Sequence, residues 1–221
     1  MIRRAVPPLI AAILTLAGCS AGPSHPGDAA PTRPAGVTAG TVASMTFPAG
    51  ACGSDSEGWN NTVPITVTDG QGEARTTSGE FASASIRDTE LVGWLDADRD
   101  GTDDAVVSFV CFGSPFAQCC AGRASLMKFV GVFDFSTPAE PRGIGATIMP
   151  GISAVRGESG GEPRRIDRVR VEDSAIITDE KLIYPDTSGA TADLGYSPDA
   201  TVEVSHTFAD GAWSSTERVV G

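Results

Sequence analysis

Between Leu95 and Val107 the chain reads LDADRDGTDDAVV, five aspartates within nine residues and one arginine, Arg99, among them. Like charges this close repel unless water screens them or a cation sits between them. Counting Asp96 as the first position, carboxylates stand at 1, 3, 5 and 9: Asp96, Asp98, Asp100 and Asp104. Gly101 is at 6, and Thr102 at 7 can offer its backbone carbonyl. Alternate side chains point inward and glycine permits a tight turn, the pattern a hard ion with six to eight oxygen ligands requires. Asp96, Asp98, Asp100, Thr102 and Asp104 are therefore the candidate ligands, and calcium is the expected ion. Asp103, at 8, is expected to point outward. The loop is not an EF-hand: position 12 is Val107 instead of a bidentate glutamate, and a strand pattern follows. Affinity on the order of 10⁻⁴–10⁻³ M is expected, with the ion locking a turn between two strands.

Other groups offer less. The stretch GESGG, with Ser159 at its centre, resembles the sequence around the nucleophile of trypsin-like proteases and also fits the G-x-S-x-G pattern. A nucleophilic serine needs a base. Of the two histidines, His25 stands in a Pro- and Gly-rich stretch and His206 follows Ser159. A hydrolase using Ser159, or an unmarked carboxylate pair, is the alternative reading, but Pro163 and two arginines follow where a helix should begin. His206 is in phase with Val202, Val204 and Phe208 and reads as a packed histidine. No HExxH, CxxC, P-loop or GxGxxG is present, so no catalytic set is marked out. Trp59, Trp94 and Trp213 are read as packing residues before a sugar- or peptide-binding surface, and Asn60-Asn61-Thr62 is a glycosylation sequon.

The elements that must position these groups read as β. TVPITVT (62–68) is a β-branched run ending in the turn signal Asp69-Gly70. Residues 86–95 lead as an extended segment into the aspartate loop. Residues 104–112 alternate, with Ala105, Val107, Phe109 and Cys111 on one face and Val106, Ser108 and Val110 on the other. Both faces are largely apolar, which predicts a central strand, partnered by residues 125–135. Two hairpins are expected later: 166–171 with 174–178 about Glu172-Asp173, and 201–208 with 212–219 about Ala209-Asp210-Gly211. Residues 156–165 read as a Gly-rich polar loop. No long stretch carries a helical period. The expectation is a mainly β chain with a single antiparallel, sheet-rich, disulfide-stapled domain over 41–221 and little helix.

The N-terminus reads as a signal. Arg3 and Arg4 precede an apolar run, 9–17, too short to span a bilayer as a mature helix. Leu16-Ala17-Gly18-Cys19 resembles the lipobox of bacterial lipoproteins, which implies removal of residues 1–18 and lipidation of Cys19. Residues 19–40, rich in Ala, Gly, Pro and Ser, then read as a disordered tether. Losing the two positive charges of Arg3 and Arg4 takes the formal net charge from −12 to −14. So acidic a chain repels nucleic acid and anionic headgroups and favours cations. Outside the cytoplasmic membrane, Cys52, Cys111, Cys119 and Cys120 read as two disulfides. A vicinal Cys119–Cys120 ring is strained, so one of that pair is expected to join Cys111 and the other Cys52.

WLDADRDGTDDAVVSF (94–109) resembles the calcium loop of FG-GAP and VCBS-type repeats, in which a strand enters, a turn binds the ion and an apolar strand leaves. The resemblance implies Asp96, Asp98 and Asp100 as the first ligands, Thr102 as the carbonyl and Asp104 as the last. Only one such unit is present, where those families build propellers from several. With the lipobox, the tether and the closing hairpin, the chain resembles small secreted lipoproteins of actinobacteria. That implies a lipid-anchored, non-enzymatic domain on the outer face of the cytoplasmic membrane, binding an unknown protein or envelope component.

Overall fold

The computed structural model describes residues 31–52, 61, 63–75, 83–112, 127–138, 140–153, 162–182 and 201–220. Residues Pro31–Gly221 form one compact unit. It is mainly β and antiparallel, and its described helix is a single turn, α1 (Ala39–Val42).

One five-stranded sheet runs in the order β3 (Gly72–Arg75), β4 (Ser83–Leu95), β5 (Asp104–Phe112), β6 (Met127–Asp134), β7 (Arg142–Gly143). The other runs β12 (Ala212–Val220), β11 (Thr201–Ala209), β10 (Ala175–Leu182), β9 (Glu162–Glu172), β8 (Ile152–Ser153). A two-stranded piece pairs β1 (Thr46–Phe47) with β2 (Ile65–Thr66). β5 is the middle strand of its sheet, as its two apolar faces foretell. Ala105, Val107, Phe109 and Cys111 face one core with Val42, Phe47, Ile65 and Val67 from the N-terminal segments. Val106 faces a second core with Val130 and Val132 of β6 and with Ile166 and Ile176 of the other sheet. The first sheet is thus the middle of three layers, and each Val, Ile or Phe it buries contributes roughly 1.5–3 kcal/mol.

Tight turns set the hairpin registers. Asp210 and Gly211 both take positive φ, 53° and 80°, giving the two-residue connection whose twist suits a hairpin. The β9–β10 turn differs from expectation by one residue. Its central residues are Asp173 and Ser174, at φ 44° and 65°, and Glu172 pairs with Ala175. A serine in the left-handed region carries no sequence signal comparable to glycine, which is why the turn is misplaced by reading alone.

Three further expectations are corrected. Residues 162–165 are not loop but the start of β9, where Arg164 pairs with Leu182 and is buried. Residues 31–40 are not a disordered tether: Thr38 caps α1, the Thr41 hydroxyl donates to the Gly36 carbonyl at 3.2 Å, and Val37 joins the core. The folded unit therefore starts about ten residues before Thr41. Finally, Cys52 is bonded directly to Cys111, with Cα atoms 5.8 Å apart. Cys111 points into the core face that the 45–52 segment covers, so the partner comes from that layer and not from the chain just downstream. Cys119 and Cys120 lie outside the described residues.

Asn61 holds the disulfide loop in place. It is fully buried; its Oδ1 accepts the Cys52 N–H at 2.9 Å, and its Nδ2 donates to the carbonyls of Pro48 and Val63 at 2.8 and 2.9 Å.

Candidate functional site

β4 and β5 pair down to Leu95↔Asp104, so residues 96–103 are the loop of a hairpin in the middle of the sheet. Arg99 and Gly101 both take positive φ, 62° and 90°, and fold the loop back on itself. Gly101 meets nothing within 4 Å of where a Cβ would stand, so glycine is required there by its backbone conformation and not by space.

This turn brings Asp96, Asp98 and Asp104 together, with one carboxylate oxygen of each within 4.8 Å of the others. Two oxygens on opposite sides of an ion bound at about 2.4 Å are about that far apart. Asp104, the first residue of β5, is buried, and its Oδ2 accepts the Ala97 N–H at 2.9 Å. Asp96 accepts the Gly101 N–H through Oδ2 at 3.2 Å, while its Oδ1 is buried without a hydrogen-bond partner. Asp100 stands outside the cluster. Its Oδ1 instead accepts the Thr102 N–H at 2.7 Å, closing a local turn that fixes the loop's outer edge. Of the four carboxylates expected to converge, three do.

The electrostatics of the cluster follow from burial. Asp104 is pushed up from 3.8 to about 7, chiefly by loss of water; the Ala97 N–H opposes this, and the negative charges of Asp98, Asp134 and Asp100 add to it. Asp134, at the end of the neighbouring strand β6, goes the other way. Burial works against its charge, but hydrogen bonds from the backbone and hydroxyl of Ser136 and from Arg142 hold it below the usual range. Arg142 links the two groups, 3.1 Å from Asp134 and 3.6 Å from Asp98. Asp103 turns away from the cluster to Arg33, at 3.5 Å. The charges that temper this loop are thus Arg33 and Arg142, from distant segments, where sequence reading offered only Arg99.

A second polar site lies on the inner face of the β9–β12 sheet. Arg164 reaches Glu180 at 3.0 Å and grips Glu217 with both terminal nitrogens. Gly151 lies against it, its N–H donating to Glu180 Oε2 at 2.9 Å, and any Cβ there would meet the guanidinium at 1.7 Å. His206 is buried beside this group. Thr178 gives its hydroxyl proton to Glu180 and so accepts the Nε2–H of His206 at 3.1 Å; Nδ1 then accepts from Ser215 at 2.9 Å. Burial, with help from Arg164 and against Glu217, lowers the ring to about 4. So weak a base draws a serine proton poorly, and both ring nitrogens are engaged. This is the satisfied, packed histidine the strand phase predicts.

Trp94 and Trp213 line different clefts. Trp94 lies with Phe208 on a cleft of about 480 Å³ beside Asp96 and Asp103. Trp213 packs on the Phe208 ring at 5.0 Å and donates to the Ile144 carbonyl at 3.4 Å. Cys19, His25, Trp59, Asn60 and Ser159 lie outside the described residues.

These features define a class: an antiparallel β protein of two five-stranded sheets and a short two-stranded one, carrying a three-carboxylate cluster, able to hold a metal ion, at the tip of its central hairpin. Comparison of the chain with protein-family models, curated proteins and solved structures gave no match.

Proposed function

We propose that this is a lipid-anchored, extracytoplasmic binding or structural domain whose central hairpin is locked by calcium at Asp96, Asp98 and Asp104. The observation that carries the reading is the buried, unpartnered Oδ1 of Asp96 within a ring of three carboxylates. A carboxylate oxygen buried with no donor costs roughly 1–3 kcal/mol unless an ion or a proton compensates it, even though the other oxygen of Asp96 has the Gly101 N–H. The donor set is all oxygen, which suits calcium better than a soft or nitrogen-seeking metal. A calcium ion held by Asp96 and Asp98 of the loop and Asp104 of β5 would supply positive charge at the turn, leave Asp104 ionised and tie the loop to the start of β5. The strand–loop–strand order supports the likeness to the FG-GAP and VCBS-type loop. Attachment to the outer face of the membrane rests on Cys19 within Leu16-Ala17-Gly18-Cys19. Among the described residues no helix is long and apolar enough to cross a membrane.

The test is thermal unfolding in EDTA, then with calcium or magnesium to about 10 mM. Calcium at 100 times its Kd adds ~2.7 kcal/mol, roughly 5–10 °C in Tm for a domain this size. A saturable rise of that order with calcium supports the site; no response removes it. For the anchor, palmitate incorporation that is lost in Cys19→Ser supports lipidation, and unchanged incorporation refutes it.

A further inference from the structure

The segment before α1 is stitched to the aspartate loop itself. The Thr32 N–H donates to the Gly101 carbonyl at 3.1 Å, and the Asp103 N–H donates to the Thr32 carbonyl at 3.0 Å, a parallel bridge between Thr32 and Thr102. Arg33 lies 3.5 Å from Asp103 and 5.6 Å over the Trp94 ring. Downstream, Val37 is buried in the core and Thr38 caps α1, so this segment is fastened at one end by the core and at the other by the loop and the Trp94 ring at the end of β4.

We propose that residues 31–36 form a strap whose docking on the aspartate loop is set by cation occupancy of the Asp96–Asp98–Asp104 cluster. The inference rests on the metal reading above. Gly101 is the mechanical link: its N–H is held by Asp96 Oδ2, one of the cluster carboxylates, while its carbonyl holds the strap. Asp103, the strap's other partner, adjoins Asp104. An ion that draws the carboxylates together fixes both strap partners in place. Without it, mutual repulsion loosens the turn to which the strap is bonded. The strap's own contacts are few: two backbone hydrogen bonds, a long Thr32 hydroxyl bond to the Gly101 carbonyl at 3.5 Å, and an arginine, 66% exposed, that pairs with Asp103 and lies over Trp94. Such contacts are individually weak, so a modest change in loop order decides whether they hold.

Two consequences follow. Pro31 forms part of the wall of the 480 Å³ cleft that also exposes Trp94, Phe208 and Asp173, so strap release opens that cleft. Release also frees about six residues, up to about 20 Å of extra reach, between the folded unit and whatever precedes it.

The experiment is amide hydrogen exchange at Thr32 and Asp103 in the full chain, with calcium and with EDTA, alongside the calcium-induced shift in Tm. Exchange at both amides at least tenfold slower in calcium supports the strap. Linkage requires the converse effect: Thr32→Pro, which removes the strap's donor and no carboxylate, should weaken calcium binding about 5–20-fold, within the usual range of coupling between sites. A Tm that responds to calcium while both amides exchange alike in calcium and EDTA overturns the strap and leaves the metal site standing. A Tm that ignores calcium overturns the site, and the strap with it.

Discussion

Asp104→Asn separates the cost of the cluster from its use. The folded chain holds the Asp104 proton to about pH 7 against 3.8 for the free side chain. Each pKa unit corresponds to 1.36 kcal/mol, so ionised Asp104 costs the ion-free fold about 4 kcal/mol. The folded pKa is raised, so the protonated form's contribution is complete below pH 3.8 and is lost as pH rises to about 7. Asparagine keeps the shape and can still accept the Ala97 N–H. In EDTA at pH 8, Asp104→Asn should therefore be more stable than the wild type, by up to about 4 kcal/mol or roughly 8–16 °C in Tm. The two should converge below pH 4. In 10 mM calcium at pH 8 the gap should narrow by about 1.4–2.7 kcal/mol, the linkage of a site with a Kd of 10⁻³–10⁻⁴ M, because the wild type gains a bound ion there and the variant has lost a charged ligand. Urea and thermal unfolding at pH 4, 6 and 8, with EDTA and with calcium, measure all three. A variant that is less stable than wild type in EDTA at pH 8 would refute the reasoning, since Asp104 would then be ionised without penalty and would need no cation.

The remaining predictions concern what holds the domain together. His206 is lowered from 6.5 to about 4, so the stability it supports is present above pH 6.5 and lost as pH falls through 4. That loss is about 3 kcal/mol, and His206→Gln should flatten the stability profile over that window; an unchanged profile would show the ring is not buried neutral. The Cys52–Cys111 bridge closes a separation of 59 residues, which chain entropy values at about 4 kcal/mol. Cys52→Ala should lower unfolding free energy by 2–4 kcal/mol, read by urea denaturation, and peptide mapping of the oxidised protein should recover a Cys52–Cys111 cross-link. Asn61→Ala strands the Cys52 N–H and loosens the Pro48 and Val63 carbonyls; a loss of about 2–4 kcal/mol is expected, and Asn61→Asp should not restore it because a carboxylate has no donor for either carbonyl.

Much of the architecture was legible because strands announce themselves locally. β5 alternates over nine residues with apolar groups on both faces, and that alone makes it central. The Asp210-Gly211 turn and the strand–loop–strand order around the aspartates are equally local. Legibility failed where a residue's role depends on a distant neighbour. Arg164 reads as part of a charged loop, yet it is 1% exposed because Glu180, Glu217 and the missing side chain of Gly151 make a socket for it. Residues 31–36 read as tether by composition, since backbone bonds to the far loop leave no trace in residue type. Asp100 fits the ligand spacing as well as Asp98 does, but a local hydrogen bond to Thr102 claims it.

The sequence by itself determined the strand pattern, the two-faced central strand and the position of an acidic, glycine-kinked loop between two strands. These depend on side-chain alternation and on one residue's backbone freedom, and both act within a few residues. Only the tertiary structure decided which carboxylates meet, that Arg33 and Arg142 attend them, that Cys52 takes Cys111, and that the chain before α1 lies on the loop. The first is settled within the loop by the Asp100–Thr102 hydrogen bond; the others are contacts between segments tens of residues apart, selected by which faces pack together, and spacing along the chain carries no record of that choice.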